Sequence, residues 1–495
     1  MVKFLSFSLL TCFLVGLVPP LSAQELSKRY FVYFNDKTGT TYSLNKPEDF
    51  LSPRALERRQ RHQIPVQERD LPVSATYLKA LQSQGAIVWY ASKWMNGALI
   101  EADSLTLAKV QALDFIKPEA LLVYPKAGKP LKNVGLKPSP KPLVSFNPLL
   151  IEKAEDYGKA RNQTEMIGAD EMHKAGYRGQ GMLIAVLDAG FLNTDKLSFF
   201  QHLFKNGQIL GTYDFVDGDE GVYETGDHGT KVLSTMAAYK KGEMIGTAPE
   251  AFFFLFRTED TRTEYRVEEV NWLIAAEKAD SAGVDVINSS LGYTTFDDAK
   301  MDYSYQTLNG NTSFITQAAE LAAQTGMLVV NSAGNEGGGD WRYVGTPADA
   351  PSILSVGAVD SQGGYAYFSS VGPTADGRIK PNVAARGAGT TVGAPGDYIS
   401  TSSGTSFSAP TIAGFAAAFW QANPQLRNAE VIRALEASGS QADNPDAFLG
   451  YGIPNFKKAQ EWVKNQENHP GLKGTQETSP EIKPSPRPEK EKKKN

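Results

Sequence analysis

Cysteine is almost absent from this chain. Of 495 residues only Cys12 is one, and it sits in an apolar N-terminal stretch that reads as an export signal. A mature protein without that stretch has no disulfide, no thiolate metal site and no cysteine nucleophile. Long apolar runs are missing too: Phe4 to Val18 is short for a bilayer span, and no later segment is long enough. There is no surplus of positive charge. The 50 Lys and Arg against 55 Asp and Glu give a net charge of -5, so the basic footprint of a nucleic-acid binder is lacking. Histidine is scarce, with five in all. What is present is ordinary for a globular protein: 41% hydrophobic and 21% charged residues, in a chain long enough for two or three domains and at least one large core.

The N-terminus follows the pattern of a cleaved leader over residues 1–23. Lys3 gives the positive start, Phe4 to Val18 the apolar stretch, and Leu21-Ser22-Ala23 a small-residue site for cleavage before Gln24. An uncleaved anchor and a lipoprotein through Cys12 are the weaker readings, because the run is short and continues past that cysteine. The expected location is outside the cytoplasm, secreted or periplasmic.

Residues 24–125 form a first unit. Tyr30 to Phe34 reads as a strand, Ala75 to Gln84 as a helix stopped by Gly85, and Ala86 to Ala102 as two strands turning at Asn96-Gly97. Leu105 to Leu113 reads as a helix and Ala120 to Tyr124 as a last strand. This order predicts a small α+β ferredoxin-like domain. The basic segment from Leu51 to Gln67 is expected on the surface. Residues 126–160 interleave Lys126, Lys129, Lys132, Lys137 and Lys141 with Pro130, Pro138, Pro140 and Pro142, which predicts extended, protease-accessible linker. Residues 466–495 are rich in Pro, Glu and Lys, and read as a disordered charged tail.

Between them, residues 161–465 alternate apolar runs with helical patterns. Met182 to Leu187, Ala251 to Phe256, Val284 to Asn288, Met327 to Asn331 and Ile353 to Val359 are continuous apolar stretches, as strands covered on both faces require. The predicted class is α/β, a parallel sheet with helices on both faces.

Four segments sit at strand ends or helix starts, where such a fold places reactive groups. Asp188 ends the first apolar run, before Ala189-Gly190. His228 opens a helix and is followed by Gly229-Thr230. Asn335 lies in Ser332-Ala333-Gly334-Asn335-Glu336-Gly337. Ser406 lies in Gly404-Thr405-Ser406-Phe407-Ser408-Ala409-Pro410, entering an apolar helix that runs to Trp420. Each of the first three has a bland explanation as a turn or capping residue. The serine is more specific: small residues flank it at the mouth of a buried helix, where the helix dipole and backbone N–H groups stabilise an oxyanion.

In this order, Asp, His, Asn and Ser with their flanks resemble the subtilisin-like serine proteases, over roughly 160 to 460. Ser290-Leu291-Gly292 and Tyr451-Gly452-Ile453-Pro454-Asn455 match the same pattern. The resemblance implies a serine endopeptidase with Ser406 as nucleophile, His228 as base and Asp188 as its orienting carboxylate. It implies Asn335 in the oxyanion hole, and Ser290, Leu291, Gly292, Ser332, Ala333 and Gly334 against the substrate. It further implies that the first domain is a propeptide that assists folding and blocks the cleft, making the product an autoinhibited precursor cut within the linker. Glu336 at the rim is read either as favouring basic side chains or as an unselective surface carboxylate. Tyr293 stands where relatives often have a second glycine, which suggests a narrowed subsite. The family's long calcium loop is shortened at Tyr239 to Gly246 and carries Lys240 and Lys241, so no metal ligand is assigned there. Asp214, Asp217, Asp219 and Glu220 read as a solvated turn, with calcium the lesser alternative. No cofactor is required by this chemistry, and calcium is left unassigned. The expected partners are polypeptide substrates and the chain's own N-terminal domain, with no nucleic acid, no membrane after signal removal, and a monomeric state. A non-catalytic peptide-binding or adhesion protein on the same fold, or a transpeptidase, is the alternative.

Overall fold

The computed structural model describes residues 27–124 and 156–468. The leader, most of the linker and the tail beyond Asn468 lie outside the described residues.

The N-terminal domain comprises β1 (Lys28–Phe34), α1 (Pro53–Arg61), α2 (Ala75–Ser83), β2 (Ile87–Ser92), β3 (Gly97–Ala102), α3 (Ser104–Gln111) and β4 (Ile116–Tyr124). Its antiparallel sheet has the order β2-β3-β1-β4, as a ferredoxin-like sandwich has. Alternation along β1 divides its side chains between two cores. Val32 and Phe34 join Ala98, Ile100, Leu81 and Val110 inside the domain. Phe31, with Trp89, Tyr90, Leu99 and Val123, faces outward into a core shared with the second domain.

That second domain begins with α4 (Arg161–Met166), α5 (Ala169–Lys174), β5 (Leu183–Asp188), α6 (Gln201–Lys205), β6 (Ile209–Asp214) and α7 (His228–Ala237). After the hairpin β7 (Tyr239–Lys240) and β8 (Met244–Ile245) come β9 (Phe252–Arg257), α8 (Val267–Ala282), β10 (Val286–Ser289), α9 (Phe314–Gln324) and β11 (Leu328–Ser332). It ends with β12 (Leu354–Val359), β13 (Val383–Arg386), the hairpin β14 (Thr390–Ala394) and β15 (Tyr398–Ser402), then α10 (Thr405–Ala422), α11 (Asn428–Ala437) and α12 (Phe456–Asn468). Seven parallel strands lie in the order β13-β12-β11-β10-β5-β9-β6. The unbroken apolar run of β5 is explained by its two faces. Ile184 and Val186 pack in the layer of α7 and α10, while Leu183, Ala185 and Leu187 pack in the layer of α8 and α9. Tyr157, buried at 3% exposure, puts its hydroxyl 2.9 Å from His173 Nδ1, so the folded domain starts a few residues before 161.

The basic segment after Leu51 keeps one face at the surface, with Glu57, Gln60 and Arg61 exposed, but its other face is buried, which the sequence reading did not foresee. Arg58 and Arg59 on α1 are each 1% exposed and converge on Asp280 of α8. Arg58 Nη2 stands 2.5 Å from Asp280 Oδ1, and Arg59 Nη2 is 3.0 Å from Oδ2. Lys93 Nζ adds a third cation at 3.1 Å, and Asp70 pairs bidentately with Arg59 at 3.0 and 3.1 Å. Burial alone would raise the Asp280 carboxyl, but the cations overcome it and hold it well below the usual carboxylate range. One turn earlier on α8, Glu277 accepts hydrogen bonds from Ser92 Oγ and from the backbone N–H groups of Lys93 and Trp94. A buried charge requires a partner; here the partner comes from the other domain.

Candidate active site

The carboxyl end of β5 and the start of α7 are forced together by two glycines. A Cβ on Gly229 would stand 2.3 Å from Gly190 O, and one on Gly190 2.2 Å from Thr225 O; Gly190 also has φ +133°, which other residues rarely adopt. This close approach seats His228 Nδ1 2.7 Å from Asp188 Oδ1. The same oxygen accepts the Ala189 N–H at 2.7 Å, so the hydroxyl that relatives often carry at 189 is not needed to hold the carboxylate. Asp188 is fully buried. A carboxylate only accepts, so Nδ1 carries the proton and Nε2 keeps its lone pair. Burial lowers the imidazole pKa, but the adjacent carboxylate more than compensates, and the net shift is upward from 6.5.

Ser406 stands in the first turn of α10, as its motif predicts, with its hydroxyl 3.4 Å from Ser290 O. It makes no hydrogen bond to His228 among the described residues. Pro410 in the second turn has no N–H, so the Ser406 carbonyl lacks its helical donor. Ser290 Oγ supplies one at 3.0 Å. Asn335 Oδ1 accepts from Thr405 N and Thr405 Oγ1 at 2.8 and 3.0 Å. A backbone N–H can only donate, which fixes the amide orientation and leaves Nδ2 as a free donor.

Ser406, Asn335, Ser290, Leu291, Gly292, Ser332 and Gly334 line one cavity of about 260 Å³. Two residues named from the sequence turn their side chains away from it. Ala333 does not line it: its side chain packs with Val344 and Ala348, because neighbouring residues of extended chain point to opposite sides. Tyr293 is not part of the cavity lining. It is 1% exposed, stacks on Phe296, and donates its hydroxyl to Glu259 at 2.7 and 2.8 Å. The acidic loop after β6 is the exposed turn expected for Asp217, Asp219 and Glu220, while Asp214 is buried, and Arg257 Nη1 pairs with Asp214 and Asp217 at 2.6 and 2.7 Å. Among the described residues no group of His, Cys, Asp and Glu is arranged to hold a metal ion. The residues missed by sequence reading include Glu259 and Glu264, which line the cavity with Glu336, and also Thr294, Gly345 and Ser370. The signal for the two glutamates was present: they follow the carboxyl end of β9, next to β5, where this sheet type binds ligands.

A larger cavity of about 380 Å³, between Arg61 and His62 and the helices α11 and α12, contains none of these groups.

Residues 179–452 match the model of the Subtilase family, Peptidase S8, and residues 29–133 match that of the Peptidase S8 propeptide domain of Bacteroidota. Subtilisin NAT of Bacillus subtilis subsp. natto and subtilisin E of Bacillus subtilis (strain 168) are each 32% identical over 297 residues, 59% of this chain and 69% of theirs. Alkaline elastase YaB of Bacillus sp. (strain YaB) is 26% identical over 336 residues, 67% of this chain and 79% of its own. With the family model covering residues 179–452, this chain belongs to the subtilase family of serine-type endopeptidases and carries a propeptide domain ahead of its catalytic one.

Proposed function

We propose that this subtilase is an exported, autoinhibited precursor whose catalytic groups are Asp188, His228 and Ser406, with Asn335 as oxyanion donor. The observation that carries the assignment is the His228–Asp188 hydrogen bond of 2.7 Å, beside a cavity lined by both Ser406 and Asn335. As substrate enters, His228 Nε2 takes the Ser406 hydroxyl proton while Oγ bonds to the scissile carbonyl carbon. The carbonyl oxygen becomes an oxyanion held by Asn335 Nδ2 and the Ser406 backbone N–H; loss of one such side-chain donor costs roughly 100- to 1000-fold in rate. The C–N bond then breaks, the imidazolium returns its proton to the leaving amine, and water releases the acyl group by the same steps.

Export is supported by the leader pattern of residues 1–23, and no helix among the described residues is long and apolar enough to cross a membrane. Inhibition by the N-terminal domain is supported by β4, which ends at Tyr124 with its ring edge-on to Tyr265 at 5.1 Å, close to Glu264 of the cavity wall. Cleavage is expected between residues 125 and 160. The test is fluorophosphonate labelling of the processed protein with mapping of the adduct, alongside casein hydrolysis by wild type and Ser406→Ala. Labelling at Ser406 and loss of hydrolysis in the variant are expected; no label there, with hydrolysis retained in the variant, removes the assignment.

A further inference from the structure

We propose that Glu259 and Glu264 make the cleft select polypeptides that place a Lys or Arg side chain N-terminal to the scissile bond. This rests on the proteolytic reading above and specifies its substrate class. Both carboxyls line the cavity that holds Ser406 and Asn335, and Glu336 lines it too. A polypeptide seated in this cavity against the serine lies beside three carboxyls.

Among the described residues these carboxyls have no cation paired with them. Glu259 is 8% exposed and is held by hydroxyls alone, from Tyr293 and, at 2.9 Å, Thr258. Glu268 stands behind it and accepts the Asp260 and Tyr265 N–H groups. The nearby guanidinium groups are engaged elsewhere: Arg257 with Asp214 and Asp217, Arg262 with Asp260, and Arg266 with Met301 O and the Tyr303 ring. Among the described residues no Lys or Arg pairs with Glu259, Glu264 or Glu268. Burial, with Glu264 and Asp188 nearby, pushes Glu259 up to about 8 despite its hydroxyl partners. Partial burial, with Asp297 nearby, raises Glu264 as well. A cationic side chain entering the cavity supplies the missing counter-charge, pulls both carboxyls back to the ionised form and releases protons.

The side of the scissile bond follows from chain direction. β4 reaches this wall at Tyr124, against Tyr265, and the propeptide lies N-terminal to the linker it is to be cut from. A chain arriving that way meets Glu264 before Ser406, on the acyl side of the cut. The linker itself belongs to the proposed class: Lys126 is two residues beyond Tyr124, and Lys129 and Lys132 follow.

The test compares peptide pairs differing by Lys or norleucine at each of the four positions before the cut, using processed enzyme from the full chain. Wild type is expected to favour Lys in kcat/KM by about tenfold or more at one position. Glu264→Gln and Glu259→Gln are expected to bring that ratio toward one. In wild type the ratio should rise with pH as the two carboxyls ionise. Glu264 is exposed, so its variant reports even where the buried Glu259→Gln fails to fold. Fluorophosphonate labelling of Ser406 with a ratio near one, or with a ratio unmoved by Glu264→Gln, overturns the selectivity while leaving the protease intact. Absence of both labelling and cleavage overturns both.

Discussion

Ser290 and Ser406, 116 positions apart in the chain, are joined by a 3.0 Å hydrogen bond from the Ser290 hydroxyl to the Ser406 carbonyl. Pro410 creates the need for it, by withholding the N–H that would otherwise close the helical turn. Ser290 thus contributes more than a lining residue: it ties the end of β10 to α10, the helix that carries Ser406.

Replacing Ser290 with Ala leaves the buried carbonyl unpaired. A loss of about 1–3 kcal/mol in stability is expected, measured by urea unfolding in a Ser406→Ala background to prevent autolysis. In the active protein, kcat should fall more than KM changes, because the nucleophile's helix loses its anchor. Unchanged unfolding and unchanged kcat would show that water replaces the hydroxyl.

The pH dependence of activity should have an acid limb set by His228. Its pKa is raised by Asp188 against the effect of burial, and the base proposed for it works only when neutral, so kcat/KM should climb with pH through a midpoint above the ordinary 6.5. Asp188→Asn removes the raising charge and favours the wrong tautomer. A fall of roughly ten-thousandfold in kcat is expected, with the residual limb moved to lower pH. A limb that stays in place would assign it to another group.

Asp280→Asn should loosen the N-terminal domain. The substitution leaves Arg58, Arg59 and Lys93 buried without their common anion, at a cost of about 3 kcal/mol or more. Hydrogen exchange of the full-length Ser406→Ala chain should show faster exchange in α1 and β2, while β5 and β10 remain protected. Protection of α1 equal to wild type would show that the apolar contacts of Phe31, Trp89 and Leu99 suffice.

Acid should weaken the same docking through His62. This residue is 3% exposed, stacked on Trp420, and burial with Arg61 and Arg58 lowers its pKa to about 4, Asp285 opposing and Arg427 adding to the effect. Once undocked it regains an ordinary value near 6.5. The undocked form therefore binds more protons between these values, so docking is complete above about pH 6.5 and declines as pH falls toward 4. His62→Phe keeps a ring on Trp420 but cannot titrate. The thermal midpoint of full-length Ser406→Ala should fall less on acidification when this variant is added; identical slopes would rule out His62 as the source.

Much of the fold and half of the site were legible in local pattern. The doubly covered strands announced themselves as unbroken apolar runs, because side chains of β5 alternate between two buried layers and neither tolerates charge. Asp188, His228 and Ser406 stood at strand and helix ends with small residues around them, and the glycines at 190 and 229 prove to be what brings the first two into contact. Sequence periodicity encodes such faces and termini. It does not encode what a face meets.

That was decided only by tertiary structure. Arg58 and Arg59 read as solvated because a guanidinium far from its partner in sequence has no visible counter-charge; Asp280, more than 200 residues on, supplies that charge and lets both be buried. Ala333 and Tyr293 sit within motif segments yet turn into the core, since strand alternation sends every second side chain away from the cleft. Glu259 and Glu264 join Ser406 only because β9 lies beside β5 in the sheet. The sequence by itself determined the reactive residue types and the elements that carry them. The assembled sheet decided which of them share a cavity, because that depends on pairings between strands that are distant in the chain.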